Sequence, residues 1–182
     1  MKTCVFIMGT NGTGKTSVAR ALIAKFGGVS REEESGHGVV SITAEGVAFA
    51  GRYEGVKFGG VDYLGKTSGL SGLASYAFTR SQALVCEGMY MGSFGKNLTS
   101  TMYQAEARLV VLLYANHATI DTRLAKRSGT GITEAVMKKQ QTCANAARKY
   151  ASSGCSALSF DTDIYDCERI AETIAGWIKQ KI

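Results

Sequence analysis

Short apolar runs alternate along the chain with longer segments in which apolar residues recur every three or four positions. The apolar runs are typical of strands buried on both faces of a parallel sheet, and they lie at residues 4–8, 83–86, 109–114 and 157–160. The helical spacing predicts helices at residues 15–26, 68–81, 96–106, 118–127 and 133–150, and an amphipathic helix at the C-terminus. This alternation predicts a three-layer α/β/α fold, in which helices cover both faces of a mainly parallel sheet of five strands.

The pattern changes after the first predicted helix. Residues 27–38 are polar and predict a surface loop. Residues 39–43 and 47–50 have the composition of strands and are joined around Glu45-Gly46, so we expect an inserted β-hairpin. Residues 51–67 mix glycines with aromatic and charged residues and follow neither period. We therefore expect this segment to be a loop that binds the substrate.

Size and composition are those of one domain, which we expect to span residues 1–182. No apolar stretch approaches the roughly 18 residues of a membrane span, and we expect neither a span nor a signal peptide. The five cysteines form no C-x-x-C pair, which indicates reduced thiols in a cytoplasmic protein. The net charge of +6 gives modest support to an anionic partner.

One motif joins the first predicted strand to the first predicted helix. Residues 9–16 read GTNGTGKT and satisfy the phosphate-loop pattern G-x-x-x-x-G-K-[ST]. Glycines let successive backbone N–H groups turn toward a phosphate, and the following helix points its positive end at the same place. The sequence therefore predicts a site for ATP with Mg²⁺. Its predicted nucleotide contacts are Gly9, Asn11, Gly12, Thr13, Gly14, Lys15, Thr16 and Ser17.

Within this site Lys15 is the predicted catalytic cation, and the Thr16 hydroxyl is a predicted magnesium ligand. The chain has no guanine-reading N-K-x-D motif, which argues against a GTPase. It also lacks an apolar strand that closes in Asp-Glu, and this argues against a ring-forming ATPase. A kinase remains as the favoured class, with an ATP-dependent switch that binds a partner protein as a non-enzymatic alternative.

Two arginines follow the strongest predicted strand. Arg123 and Arg127 are four residues apart on one helix face, and residues 123–140 look like the lid of small nucleotide and metabolite kinases. In such a lid both arginines neutralise the migrating phosphoryl group, although an exposed basic helix end gives the same pattern. Asp161 and Thr162 precede the last helix, at a place that borders the adenine in that superfamily.

The acceptor side needs a carboxylate that orients and deprotonates a hydroxyl, and acids that hold magnesium with its water. Four acids lie in suitable places: Glu45, Glu54, Asp62 and Glu87. We choose Asp62 as the general base because it lies in the glycine-rich segment. Glu87 ends a strand expected beside the phosphate loop, so we choose it as a magnesium ligand. The two roles could be exchanged.

Three segments carry a narrower resemblance: Gly51-Arg52-Tyr53, Gly59-Gly60-Val61-Asp62 and Glu87-Gly88. They resemble bacteriophage-type phosphate-loop kinases, among them the 5-hydroxymethyluracil DNA kinases. The resemblance implies DNA carrying a modified pyrimidine as substrate, and the host cytoplasm as location if a phage encodes the chain. It also implies substrate contacts, which we assign to Arg52, Tyr53, Tyr63, Lys66 and Tyr90; the tyrosines could stack on an extruded base. A small-molecule or nucleoside kinase is the alternative.

Overall fold

The computed structural model describes residues 1–56, 59–64, 68–129 and 131–182, and of Tyr63 only the backbone. The strands are β1 (Thr3–Met8), β2 (Val29–Ser35), β3 (Gly38–Thr43), β4 (Val47–Ala50), β5 (Ala83–Glu87), β6 (Ala107–Tyr114) and β7 (Ser156–Asp161). The helices are α1 (Lys15–Lys25), α2 (Val61–Leu64), α3 (Leu70–Ala77), α4 (Lys96–Met102), α5 (His117–Ser128), α6 (Glu134–Ser152) and α7 (Cys167–Lys179). A single 3₁₀ turn at Met89–Met91 follows β5.

One sheet contains all of these strands, in the order β2-β3-β4-β5-β1-β6-β7. From β4 to β7 the neighbouring strands are parallel, and β2 and β3 extend this part antiparallel to their neighbours. The α/β fold is confirmed, but its sheet has seven strands where five were predicted. The predicted hairpin is β3–β4, but β4 also pairs with β5 and so belongs to the main sheet.

The prediction of a surface loop at residues 27–38 is wrong, because β2 lies there. This strand pairs only with β3 at the edge of the sheet, and its side chains are partly or fully exposed. Its acids form ion pairs across the surface: Glu32 with Arg52, and Glu33 with Arg31 and Arg80. An edge strand of this kind need not carry the apolar alternation by which strands are recognised in a sequence.

Both faces of the parallel strands are covered. In β1, Cys4, Phe6 and Met8 pack on the side of α3, α4 and α6. Val5 and Ile7 pack on the opposite side, against α1 and α7. Burial on both faces explains why β1 is an uninterrupted apolar run.

The carboxyl ends of the five parallel strands lie at one edge of the sheet, which is where ligands bind in such folds. Strand β1 ends at Met8, and in the register with β5 its Ile7 lies opposite Glu87. On the other side of β1, β6 ends at Tyr114, and β7 ends beyond it at Asp161. Among the helices that the structure describes, none has the length and apolar character to cross a bilayer.

Candidate functional site

The loop between β1 and α1 has the backbone of a phosphate cradle. Gly12 and Gly14 both have φ of +82°, in the left-handed region that favours glycine. Gly14 is the N-cap of α1, and no side chain caps the helix there. The first amides of α1 therefore face a cavity of about 220 Å³. Its lining consists of Gly12, Gly14, Lys15, Thr16, Ser17, Arg123 and Arg127. Backbone N–H groups and cations together make this cavity suited to phosphates.

Lys15 is buried, and its Nζ donates a hydrogen bond to the Thr10 carbonyl at 2.9 Å. Burial lowers the pKa of Lys15, while the negative charge of Glu87 acts in the opposite direction. The loop is braced behind the lysine, because the Thr10 hydroxyl donates to the Val136 carbonyl in α6 at 2.9 Å. Lys15 is thus a positive charge held at the wall of the cavity.

Glu87 is the buried acid of the site, with only 1% of its surface exposed. Its Oε1 accepts a hydrogen bond from the Thr16 hydroxyl at 3.2 Å, whereas Oε2 has no hydrogen-bond partner in the described part of the chain. Burial raises the pKa of Glu87 to about 7, against the attraction of Lys15 and with a further upward contribution from Asp62. A carboxyl group with such a pKa changes its charge near neutral pH.

Thr16 and Glu87 fit a magnesium ion, since both offer the hard oxygen donors that Mg²⁺ prefers. The described residues contain no cluster of three or more His, Cys, Asp or Glu side chains that could hold a metal ion.

Asp62 lies beside Glu87, and glycines make the approach possible. A Cβ on Gly60 would lie 2.6 Å from Glu87 Oε1, and a Cβ on Gly88 would lie 2.6 Å from Asp62 Oδ1. Both carboxylate oxygens of Asp62 accept from the Met89 N–H, at 2.8 and 2.9 Å. Asp62 therefore fixes the backbone that follows β5, and its assignment as general base stays a prediction.

Helix α5 brings the two predicted lid arginines to the phosphate loop. Arg123 Nη1 donates to the Gly12 carbonyl at 3.1 Å and to the Thr162 hydroxyl at 2.9 Å, and Nη2 donates to the Thr162 carbonyl at 2.9 Å. One guanidinium thus ties the phosphate loop to the loop after β7. Arg127 lines the phosphate cavity together with Lys15. Their predicted roles in phosphoryl transfer belong to the proposal below.

A second cavity of about 260 Å³ adjoins the phosphate loop. It is lined by Thr13, Gly14, Ser17, Val18, Arg123, Thr162, Tyr165, Asp166, Cys167 and Ile170. The sequence predicted Thr162 here but missed the wall formed by the start of α7. The signal was Asp166, which caps α7 by accepting from the Arg169 N–H at 2.8 Å. Asp161, also predicted, is not part of this lining, and its side chain accepts from the Asp163 N–H at 3.0 Å.

The predicted substrate contacts are only partly brought together. Arg52 forms ion pairs with Glu32 and Glu34 of β2, at 2.8 and 3.5 Å. Tyr90 is 37% exposed. Lys66 and the side chain of Tyr63 lie outside the described residues.

Tyr53 requires a correction. Its ring is 4% exposed and packs edge-to-face on Phe49, with the ring centroids 5.7 Å apart. A ring buried in this way is no platform for a base, so the expectation that Tyr53 stacks on an extruded base does not fit the structure. The glycine-rich sequence concealed this burial.

Two solved structures are similar to this chain over nearly its full length. One is the YorR protein from Bacillus subtilis in complex with phosphorylated GDP, with 18% identity and a TM-score of 0.55, covering 98% of this chain and 97% of that one. Another is a sugar kinase from Janibacter sp. HTCC2649, with 17% identity and a TM-score of 0.53, covering 98% and 95%. No family model and no curated protein matches the chain. At these identities the likeness shows the fold, and it confirms the kinase-like α/β fold predicted around the phosphate loop.

Proposed function

We propose that the protein is a phosphotransferase that moves the γ-phosphoryl group of ATP, with Mg²⁺, to the hydroxyl group of an acceptor. The observation that carries this proposal is the buried Glu87 carboxyl group. It accepts a hydrogen bond from the Thr16 hydroxyl of the phosphate loop and lies near Asp62 of the predicted substrate-binding segment, residues 51–67. One of its oxygens has no partner among the described residues. A site that only binds a nucleotide has no need of two acids converging beside its phosphates.

The donor half of the proposal assigns the two cavities to two parts of ATP. The triphosphate lies along the amides of the phosphate loop, with Lys15 and Arg127 beside it. The base and ribose occupy the adjoining cavity, where Arg123 and Thr162 form one wall. The Thr16 hydroxyl would hold Mg²⁺, which would supply positive charge beside the phosphate oxygens. Lys15 and the two arginines then stabilise the negative charge on the migrating phosphoryl group.

The acceptor half of the proposal concerns the proton of the acceptor hydroxyl, which a carboxylate accepts. The acceptor oxygen forms a bond to the γ-phosphorus, the bond from that phosphorus to the ADP oxygen breaks, and the hydroxyl proton moves to a carboxylate. Glu87 is the better placed acid, since its Oε2 is unused in the described structure while both oxygens of Asp62 hold the Met89 N–H. A pKa of about 7 leaves a substantial fraction of Glu87 charged near neutral pH, as a general base requires.

The test is transfer of label from γ-labelled ATP to a panel of nucleosides, sugars and oligonucleotides, with Mg²⁺ and with a chelator. We expect label on at least one alcohol, only with Mg²⁺. Retention of ATP with slow hydrolysis and no labelled acceptor would instead favour the ATP-dependent switch. If calorimetry shows no ATP binding, both the kinase and the ATP-dependent switch are wrong.

DNA carrying a hydroxymethylated pyrimidine is the second candidate acceptor. It is favoured by an exposed aromatic ring and by lysines that line the cavities beside it. Phe94 is 38% exposed and shares one surface cavity with Lys149, and Lys96 lines the cavity next to it. Rings and cations so arranged suit a single strand. In the panel, a DNA kinase would label an oligonucleotide containing 5-hydroxymethyluracil, and its affinity would fall steeply as salt rises. A kinase of free nucleosides or sugars would depend little on salt.

A further inference from the structure

Two polar atoms in the acceptor half are buried without a hydrogen-bond partner in the part of the chain that the structure describes. They are the Tyr53 hydroxyl and Glu87 Oε2. Buried polar atoms in folded proteins nearly always have a partner, so each exception asks for an explanation. Phenylalanine would fill the space of Tyr53 without an unpaired hydroxyl. The phenol therefore has no structural advantage at this position.

The same turn covers both residues. A Cβ on Gly59 would lie 2.9 Å from Tyr53 Cδ1, and a Cβ on Gly60 would lie 2.6 Å from Glu87 Oε1. The sheet register agrees, because β4 runs parallel beside β5 with Phe49 opposite Val85. The segment from β4 to Tyr53 therefore runs beside the end of β5, where Glu87 lies. The Tyr53 ring and the Glu87 carboxylate therefore both lie against the Gly59–Gly60 turn, and we refer to them as the phenol–carboxylate pair.

This pair has the donor and the acceptor that one alcohol group needs. A phenol donates one hydrogen bond, and a carboxylate only accepts. An alcohol oxygen placed between them accepts from the phenol and directs its own proton at the carboxylate. A tyrosine phenol has an ordinary pKa of about 10, so it carries its proton near neutral pH.

We propose that Tyr53 binds the acceptor through its hydroxyl group: it donates a hydrogen bond to the oxygen that attacks the γ-phosphorus and aims the proton of that oxygen at Glu87 Oε2. This inference rests on the proposed function. In the step, the oxygen–phosphorus bond forms, the bond to the ADP oxygen breaks with its electrons going to ADP, and the proton ends on Glu87. The phenol is unchanged. Because both atoms are shielded from solvent, the proposal requires the Gly59–Gly60 turn to move aside when the acceptor enters.

The chain offers a matched pair of variants for the test. Tyr53→Phe removes the hydroxyl and keeps the ring that packs on Phe49. Tyr150→Phe is the control, since the Tyr150 hydroxyl is also buried without a partner in the described structure. Its ring likewise packs edge-to-face on a phenylalanine, Phe6, at 5.8 Å, but on the other side of the sheet. The measurements are thermal unfolding, ATP affinity by calorimetry, and kcat and KM for the alcohol that wild-type protein labels in the panel.

We expect both variants to unfold at or above the wild-type temperature and to bind ATP with wild-type affinity. Only Tyr53→Phe should lose transfer, with kcat/KM for the alcohol lower by about ten- to a hundredfold, as for the loss of one hydrogen bond made to a reacting group. Equal kcat/KM in both variants and wild type would overturn the role of Tyr53 and leave the proposed function standing. Wild-type protein that binds ATP but labels no alcohol would overturn both.

Discussion

The two halves of the proposed site, the donor side at the phosphate loop and the acceptor side around Glu87, differ in the groups that they offer a ligand. On the donor side, backbone amides, Lys15 and two arginines surround cavities of about 220 and 260 Å³. On the acceptor side, Tyr53 and Glu87 lie against Gly59 and Gly60, and Asp62 lies against Gly88. A triphosphate is a large anion that many proteins bind with the same backbone loop. A hydroxyl group carries little charge, so its recognition depends on a few buried side chains and their exact placement.

The boundary between the halves is the pair formed by Lys15 and Glu87. Each side chain is buried, and each shifts the pKa of the other toward its charged form while burial acts in the opposite direction. The following variants separate the two halves, beginning with the one expected to have the largest effect.

Lys15→Ala should reduce transfer by about 10³-fold, because the phosphates lose a cation that is held in place before they bind. The measurement is the initial rate of label transfer with saturating ATP. Lys25→Ala is the control on the same helix: Lys25 forms an exposed ion pair with Glu172 at 2.6 Å. Such surface changes usually alter stability by no more than about 0.5 kcal/mol. A Lys15→Ala protein as active as the Lys25→Ala protein would contradict the phosphate-loop assignment.

Glu87→Gln should reduce kcat by about 10²-fold, since the amide accepts no proton from the attacking hydroxyl. In wild type, kcat/KM should rise with pH through about 7, where Glu87 loses its proton. The variant should lack this rise. A pH profile that is the same in both proteins would remove Glu87 from the proton transfer.

The stability of Glu87→Gln should exceed that of wild type at alkaline pH. A glutamate in the unfolded chain has a pKa of 4.5, and the pKa of Glu87 in the fold is about 7, so between these values the folded state binds more protons than the unfolded state. The contribution of this group is therefore fully present below pH 4.5 and is lost as pH rises through 7, up to about 3 kcal/mol. Urea unfolding of both proteins across this range measures the difference. A constant difference would show that Glu87 titrates normally.

The sequence predicts the strand, the loop and the helix around Lys15 correctly for a physical reason. An uninterrupted apolar strand, the glycines and the helical spacing after Lys15 are all local, so each supports the others within about twenty residues. Even the position of Glu87 follows, because a second apolar strand in a parallel sheet ends at the same edge as the first.

The acceptor half depends on contacts between distant segments. The approach of Gly60 to Glu87 and of Gly88 to Asp62 joins parts of the chain about 27 residues apart. No period in residues 51–67 indicates that Tyr53 is buried, since a glycine-rich segment with aromatic residues has the composition of an exposed loop. The polar strand β2 escaped prediction because it is stabilised by pairing with β3 and by surface ion pairs, and neither leaves an apolar pattern.

Arg123→Lys should weaken ATP binding by about tenfold, since lysine cannot reproduce the fork that joins the Gly12 carbonyl to both oxygens of Thr162. The variant keeps the charge, so kcat should change less than the ATP affinity. Arg127→Lys is the comparison on the next turn of α5, and there we expect the larger loss in kcat. Calorimetry with ATP and the steady-state rate separate the two effects. Equal losses of ATP affinity and kcat in the two variants would contradict the assignment of Arg123 and Arg127 to different parts of the nucleotide.

Asp62→Asn should have the smallest effect, a loss of about threefold or less in kcat/KM. The amide oxygen can still accept the Met89 N–H that both carboxylate oxygens accept in wild type, so the backbone after β5 keeps its position. Asp62→Ala removes this hydrogen bond and should cost more than Asp62→Asn. Both variants should keep the rise of activity with pH but shift it to lower pH, because the charge of Asp62 raises the pKa of Glu87. The sequence alone favoured Asp62 as the general base, and the assay decides between the two acids. If Asp62→Asn lost as much activity as Glu87→Gln and also abolished the pH dependence, the base would be Asp62. The buried Glu87 would then act only as a magnesium ligand.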